Sequence, residues 1–252
     1  MSSGIKAIPD APQRLEWRVA RVVEVRRDTP TAHTLVLNVP GWPGHRAGQH
    51  VDVRLVADDG YQAQRSYSIA SPPEEPTVAL TVERIGDGEV SPYLTDVLHA
   101  GDGVEVRGPI GGYFVWDIAQ GGPLFLVAGG SGVVPLMAML RHRACAGSRV
   151  PARLLYSTRT LDGIIYRDEL ARLASPELGV TYTVTRDAPA SWTGYRRRID
   201  RAMLEEVGWS AADAPRVYVC GPTPLVESVA TLLVELGHDP MRVKTERFGP
   251  TG

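Results

Sequence analysis

Two rhythms of apolar residues divide the chain. Up to about residue 118 they alternate with polar ones, as in Trp17/Val19, Val23/Val25, Val51/Val53/Leu55, Val78/Leu80/Val82 and Val104/Val106. A period of two is the pattern of a half-buried strand. A further strand candidate, Thr34–Val39, stops at Pro40, Gly41, Pro43 and Gly44. About six short strands with Gly/Pro turns, and no long helical stripe, predict a closed antiparallel barrel. A short helix fits around Pro92–Leu98, and residues 1–15 read as a loosely held arm.

From Leu124 the rhythm changes. Leu124–Ala128 is an unbroken apolar run, suited to a strand buried on both faces. Val133, Leu136, Met137 and Leu140 then fall on one face of a helix. Strands at Arg153–Ser157, Val180–Thr185, Arg216–Cys220 and Met241–Thr245 alternate with helices near 167–174, 200–207 and 223–236. That order predicts a five-stranded parallel sheet with ligands at the carboxyl ends of its strands. Asp117–Gly122 is the predicted linker, so the chain divides into residues 16–118 and 119–252.

Between the first of these strands and its helix lies Gly129-Gly130-Ser131-Gly132, with Pro135 in the helix's first turn. Glycines permit a sharp turn and close backbone approach, and a helix N-terminus seats a phosphate. The pattern G-x-G-x-x-P lacks the third glycine of the usual dinucleotide fingerprint, and no Lys-Ser/Thr pair follows it, which excludes a triphosphate P-loop. Two more glycine turns stand in the first half, Gly86–Ser91 and Gly108–Phe114.

Composition narrows the function. The chain has 252 residues, 43% hydrophobic and 22% charged, with 27 Lys+Arg against 29 Asp+Glu. A formal charge of −2 gives no global pull toward nucleic acid. The glycines and prolines interrupting the uncharged stretch 118–140 argue against a membrane span, and the first residues show no apolar signal segment. Cys145 and Cys220 are the only cysteines, too few for a disulfide framework or the four thiolates of an iron–sulfur cluster. The six histidines show no metal-ligand spacing. A cytoplasmic, metal-free protein is the expectation. Arg141-His142-Arg143 is read as complementing the C-terminal charge of its helix.

Arg65-Ser66-Tyr67-Ser68, Gly88-Glu89-Val90-Ser91, Gly108–Phe114, Gly129–Pro135 and Cys220-Gly221-Pro222 occur in an order that resembles the ferredoxin–NADP reductase superfamily over about residues 16–248. The resemblance implies a two-domain β + α/β protein: an antiparallel Greek-key flavin-binding barrel, then a five-stranded parallel-sheet domain for NAD(P)H. Carried over, Arg65 pairs with flavin phosphate, Tyr67 packs on the isoalloxazine, and Ser68 hydrogen-bonds near its N5. Main chain around Val82 to Arg84 faces the ring edge, while Gly88, Val90 and Ser91 cradle the pyrophosphate, favouring FAD over FMN. Gly130, Ser131, Gly132, Gly221 and Pro222 hold the coenzyme, together with Thr158 and Arg159 after the second strand.

No acidic residue ends that second strand at Tyr156-Ser157-Thr158-Arg159 to grip an NAD ribose. Thr185-Arg186 resembles the family's site for the NADPH 2′-phosphate, so NADPH is expected in preference to NADH. The nearby Tyr195-Arg196-Arg197 does not match the family order, and only Arg186 is carried over. Ser68, Cys220 and Glu246 are the catalytic candidates, with Cys220 beside nicotinamide C4. Phe248, in Glu246-Arg247-Phe248, covers the flavin face, although Gly249–Gly252 extend beyond the family's ending. The implied activity is that of an FAD-dependent NAD(P)H oxidoreductase, monomeric and without a fused iron–sulfur domain. It would pass electrons to a separate ferredoxin, flavodoxin, oxygenase component or cytochrome. Reduction of free flavin, or a non-catalytic flavin-binding regulatory role, are the alternatives.

Overall fold

A computed structural model describes residues 15–249 of the chain. The arm expected over residues 1–15 lies almost wholly outside them, as do Pro250–Gly252. Six strands build the first half: β1 (Trp17–Arg27), β2 (Ala32–Asn38), β3 (His50–Val56), β4 (Gln62–Ser68), β5 (Val78–Glu83) and β6 (Gly103–Ile110). All pair antiparallel, in the order β4-β3-β6-β1-β2-β5. Their inward residues, among them Val22, Leu35, Leu37, Val51, Val53, Leu80, Val82 and Val106, form one core. Each such side chain taken out of water contributes about 1.5–3 kcal/mol.

The barrel is less closed than the alternation predicts. β4 and β5, the two ends of the sheet, meet through the Ile69–Leu80 bridge and the bond from Ala70 N–H to Ala79 C=O. Beyond that point the strands part and leave a seam. The short helix α1 (Val90–Pro92) continues as a π-helical turn over Tyr93–Val97.

The second half is a parallel sheet of β7 (Leu124–Gly129), β8 (Ala152–Thr160), β9 (Leu178–Asp187), β10 (Arg216–Pro222) and β11 (Val243–Phe248), in the order β11-β10-β7-β8-β9. Helices α2 (Val133–Cys145) and α3 (Arg167–Leu173) pack on the face toward the barrel. On the other face lie α4 (Arg201–Val207) and α5 (Thr223–Glu235). The strand order reverses between β7 and β10, which places the ligand crevice of such a sheet at their carboxyl ends.

The two halves share a core in which Ala47, Ala70, Ala79, Phe114 and Trp116 of the first meet Met139 and Tyr218 of the second. Tyr218 donates from its hydroxyl to Val115 C=O at 2.8 Å, with its ring edge-on to Phe114 at 5.3 Å. The Arg141-His142-Arg143 triplet corrects the sequence reading, because it does more than complement a helix end. Arg141 donates to Ala70 C=O at 2.7 Å and grips both carboxylate oxygens of Glu169. His142 Nδ1 lies 2.6 Å from Glu74 Oε1. Two of the three thus clasp the barrel.

Candidate functional site

The seam is bordered by main chain of β5 that turns away from β2. Bonds from Arg84 N–H to Thr31 C=O and from Ala70 N–H to Ala79 C=O fix which way each β5 peptide points. Since peptides alternate along a strand, Val82 and Arg84 turn their main chain toward β2, and Thr81 and Glu83 turn theirs into the seam. Within the stretch expected to face the ring edge, Val82 to Arg84, it is the Glu83 main chain that faces the seam. The Val82 side chain is fully buried in the barrel core, and Arg84 pairs with Asp96 at 2.7 Å.

Across the seam, β4 ends in Arg65, Tyr67 and Ser68. Arg65 is exposed, and its only side-chain bond among the described residues, from Nη1, goes to its neighbour Gln64 C=O. Tyr67 is half-buried against the barrel core, and burial pushes its pKa up to about 12. Ser68 pairs in register with His50, which puts both side chains on one face. No sequence motif pointed to His50; only the register does.

Below the seam, Gly88 N–H donates to Ile85 C=O and Ser91 Oγ accepts from Ile85 N–H, both at 3.0 Å, which shapes the turn before α1. Val90 and Ser91 are buried, and no side chain caps the helix start at Glu89. Ser91 therefore spends its acceptor on the turn and keeps its proton free. Exposed Ile85 and Tyr61 flank this turn, apolar surface of the kind a flat ligand covers.

The glycine turn after β7 stands against the same seam. Glu83 Oε2 lies 3.8 Å from where a Cβ on Gly130 would sit. Gly130 has φ +54°, which only glycine adopts freely, and it leads with Ser131 into α2. Gly132 serves differently, since a Cβ there would lie 2.2 Å from the Cys220 carbonyl oxygen. Gly221 likewise approaches the Gly129 main chain, at 3.1 Å from a built Cβ. Gly132 and Gly221 are thus packing residues, and only Gly130, Ser131 and exposed Pro222 present surface.

Cys220 and Glu246 are register partners on β10 and β11, and Pro222 and Phe248 follow them two residues on. Cys220 is buried, and burial with Glu246 beside it drives its thiol well above the ordinary range, so it stays protonated. Burial raises Glu246 to about 7, and its Oε2 has no hydrogen-bond partner. An orphaned buried carboxyl at the end of a strand is unusual unless a ligand completes it. Phe248 is partly buried against the shared core.

At the far end of the crevice, Arg159 and Arg186 extend from β8 and β9 into solvent. They form no ion pair or hydrogen bond among the described residues. Thr158 is buried and donates to Thr160 C=O at 2.9 Å while its own carbonyl accepts from Thr185, so it shapes the strand ends instead of offering a free hydroxyl. Arg196 is consumed by the carbonyls of Ala188, Pro189, Ala190 and Trp192, and Arg197 by Asp200. Among the described residues no cluster of His, Cys, Asp or Glu could hold a metal, and no helix is long and apolar enough to cross a membrane.

The slot suits a flavin by its own chemistry. It has a strand edge that no other strand pairs beyond the Ile69–Leu80 bridge, an exposed guanidinium, a half-buried phenol ring and the glycine turn Gly88–Ser91. Residues 18–115 match the family described as Oxidoreductase FAD-binding domain, and residues 126–231 match Oxidoreductase NAD-binding domain. The chain is 35% identical over 239 residues to ferredoxin–NADP reductase B of Sorangium cellulosum, covering 91% of this chain and 96% of that one. It is 33% identical over 210 residues to the glycine betaine monooxygenase reductase subunit of Pseudomonas aeruginosa. That match takes in 82% of this chain but only 57% of the subunit's length. The FAD/NAD-binding domain of Vibrio cholerae nitric oxide dioxygenase has the same fold, with TM-score 0.82 at 23% identity over 92% of this chain and 99% of that one. The chain belongs to the ferredoxin–NADP reductase superfamily of FAD- and pyridine-nucleotide-dependent oxidoreductases.

Proposed function

We propose that this chain takes hydride from NADPH and delivers electrons to a separate acceptor protein of the ferredoxin, flavodoxin, oxygenase-component or cytochrome kind. The observation that carries it is the placement of the barrel's open seam against the β7–α2 glycine turn, with Cys220 and Glu246 at the same edge of the sheet. The printed names of the relatives, a ferredoxin–NADP reductase and a monooxygenase reductase subunit, support the same reading.

Bound FAD would supply the chemistry, accepting two electrons as hydride and releasing them singly. The chain supplies position and charge. Arg65 and the turn Gly88–Ser91 would hold the phosphates, Tyr67 the ring face, Ser68 a ring nitrogen, and the Thr81 and Glu83 main chain the polar ring edge. Gly130, Ser131 and Pro222 would form the coenzyme seat beside Cys220. Glu246, poised near neutrality, can hold or release a proton at the working pH. Phe248 would shield the flavin until nicotinamide displaces it. Residues 16–118 would be the flavin unit and 119–252 the coenzyme unit.

The choice of NADPH rests on the unpaired Arg186 and Arg159 at adjacent strand ends. A charge-assisted contact to a 2′-phosphate is worth on the order of ten- to a hundredfold. Purified protein is expected to be yellow and to bleach faster with NADPH than with NADH. Arg186→Ala should raise KM for NADPH by about that factor and leave NADH nearly untouched. Equal use of NADH by the unaltered protein overturns the coenzyme assignment. Colourless protein that oxidises NADPH only with added flavin makes it a free-flavin reductase instead.

A further inference from the structure

A chain of hydroxyl groups ending on a carboxylate crosses from the barrel into the nucleotide domain. Thr34 Oγ1 bonds to Asp28 Oδ2 at 2.6 Å, and lies 2.6 Å from Thr81 Oγ1. Thr81 Oγ1 in turn bonds to the phenol of Tyr166. Burial raises the pKa of Asp28, and above it the ionised carboxylate can only accept, which fixes every proton along the chain. Thr34 donates to Asp28 and so accepts from Thr81, and Thr81 accepts from Tyr166. The phenol is therefore the donor across the domain boundary. Burial raises its pKa to about 12, so it keeps its proton in ordinary buffers. Thr34, Thr81 and Tyr166 are all buried, where a hydrogen bond left unmade is costly.

Tyr166 is held by more than this bond. It stands at φ 60°, ψ 24° ahead of α3, the left-handed region that side chains with a Cβ rarely adopt. The Arg141 guanidinium lies 4.7 Å over its ring, while also bonding Glu169 and the barrel carbonyl of Ala70. A strained backbone persists where its surroundings over-determine it, and such places cluster at functional sites. The phenol's target is the decisive point. Thr81 is the residue whose own peptide groups lie on the seam side of β5, directly beside the Ile69–Leu80 bridge.

We propose that Tyr166 is a positioning residue for hydride transfer, its phenol fixing, through Thr81, where the seam edge of β5 stands relative to the coenzyme seat. The inference rests on the reading that the seam holds flavin. Hydride transfer demands donor and acceptor atoms roughly 3–3.5 Å apart, and a displacement of about 1 Å costs on the order of a hundredfold in rate. A single hydrogen bond tied to the seam edge can therefore act on rate without touching either ligand.

Tyr166→Phe removes one O–H and keeps the ring under Arg141. In rapid-mixing experiments the rate of flavin reduction at saturating NADPH should fall about tenfold or more, with FAD content and the dissociation constant for NADPH unchanged. In flavin-free protein, amide exchange at Thr81 and Glu83 should accelerate, while exchange in β7 and β10 should not. Thr81→Val should produce the same rate loss, and the double variant no more than either single, as expected when two groups share one bond. A Tyr166→Phe protein that is only less heat-stable, with reduction rate and β5 exchange unchanged, overturns the proposal. If the unaltered protein is reduced by neither NADPH nor NADH, the functional reading fails. The exchange experiment still decides whether the phenol orders the seam.

Discussion

The seam between β4 and β5 and the crevice between β7 and β10 are both openings in a sheet, but they are made in opposite ways. The seam exists because groups are left over, namely the Glu83 main chain beyond the Ile69–Leu80 bridge, exposed Arg65 and half-buried Tyr67. The crevice exists because groups have been taken away. Gly132 lets α2 begin directly against the Cys220 carbonyl, and Gly221 nestles on Gly129. A site made of leftover groups tolerates single changes and loses only ligand affinity. A site made by subtraction fails when anything is added back.

The largest effect should therefore come from one methyl group. Gly132→Ala puts a Cβ 2.2 Å from a backbone oxygen that cannot rotate away, so β10 and the start of α2 must separate. The expected cost is about 3 kcal/mol or more, seen as a lower denaturation midpoint with loss of coenzyme binding. Gly130→Ala is the control, with no atom nearer than 3.8 Å and only its φ of +54° to object. It should cost about 1–2 kcal/mol. If Gly132→Ala is the milder of the two, the contrast between the openings is wrong.

Next in size is a pH effect at the crevice. Glu246 rises from 4.5 to about 7 on folding, by burial. A carboxyl raised in the folded state stabilises most when protonated. Its contribution is full below pH 4.5 and is lost as pH climbs through about 7. The loss amounts to about 3 kcal/mol. Glu246→Gln should abolish that decline in flavin-free protein, read from unfolding curves between pH 5 and 8 (about the titration range). A variant whose stability falls with pH as steeply as the parent's would show that Glu246 ionises freely.

The smallest effect belongs to the seam. Arg65→Ala should leave the fold and its unfolding midpoint unchanged while weakening FAD retention by about ten- to a hundredfold. Full flavin occupancy with unchanged affinity would remove Arg65 from the phosphate site.

The two openings also differed in how well they could be read. Alternation in Val51/Val53 and Val78/Leu80/Val82, and the run Leu124–Ala128 before a helical stripe, marked strands and domains because burial imposes a period. Glycines at 130 and 132 were visible, but not their division of labour, which depends on Cys220 lying nearly a hundred residues away and alongside only in space. The family resemblance locates the seam around Val82 to Arg84, but which peptides in that stretch face it depends on which strand supplies the bonds, and the structure turns Glu83 toward the seam and its two neighbours toward β2. His50 and Tyr166 carried no motif at all. One is placed by register opposite Ser68, the other by a backbone angle that no propensity foretells. Arg141 looked like helix-end decoration because its partners, Ala70 and Glu169, come from two other segments.

The incomplete bridge between β4 and β5 has a meaning for the protein's life before it acquires a ligand. A strand edge with free peptide groups is a template on which another extended chain can add. The newly made chain carries such an edge along β5 until something occupies it. Its guards are local: Glu83 on the edge itself, the Arg84–Asp96 pair just beyond, and an opening shortened by the Ile69–Leu80 bridge. A ligand filling the seam would cover that edge and leave no such template.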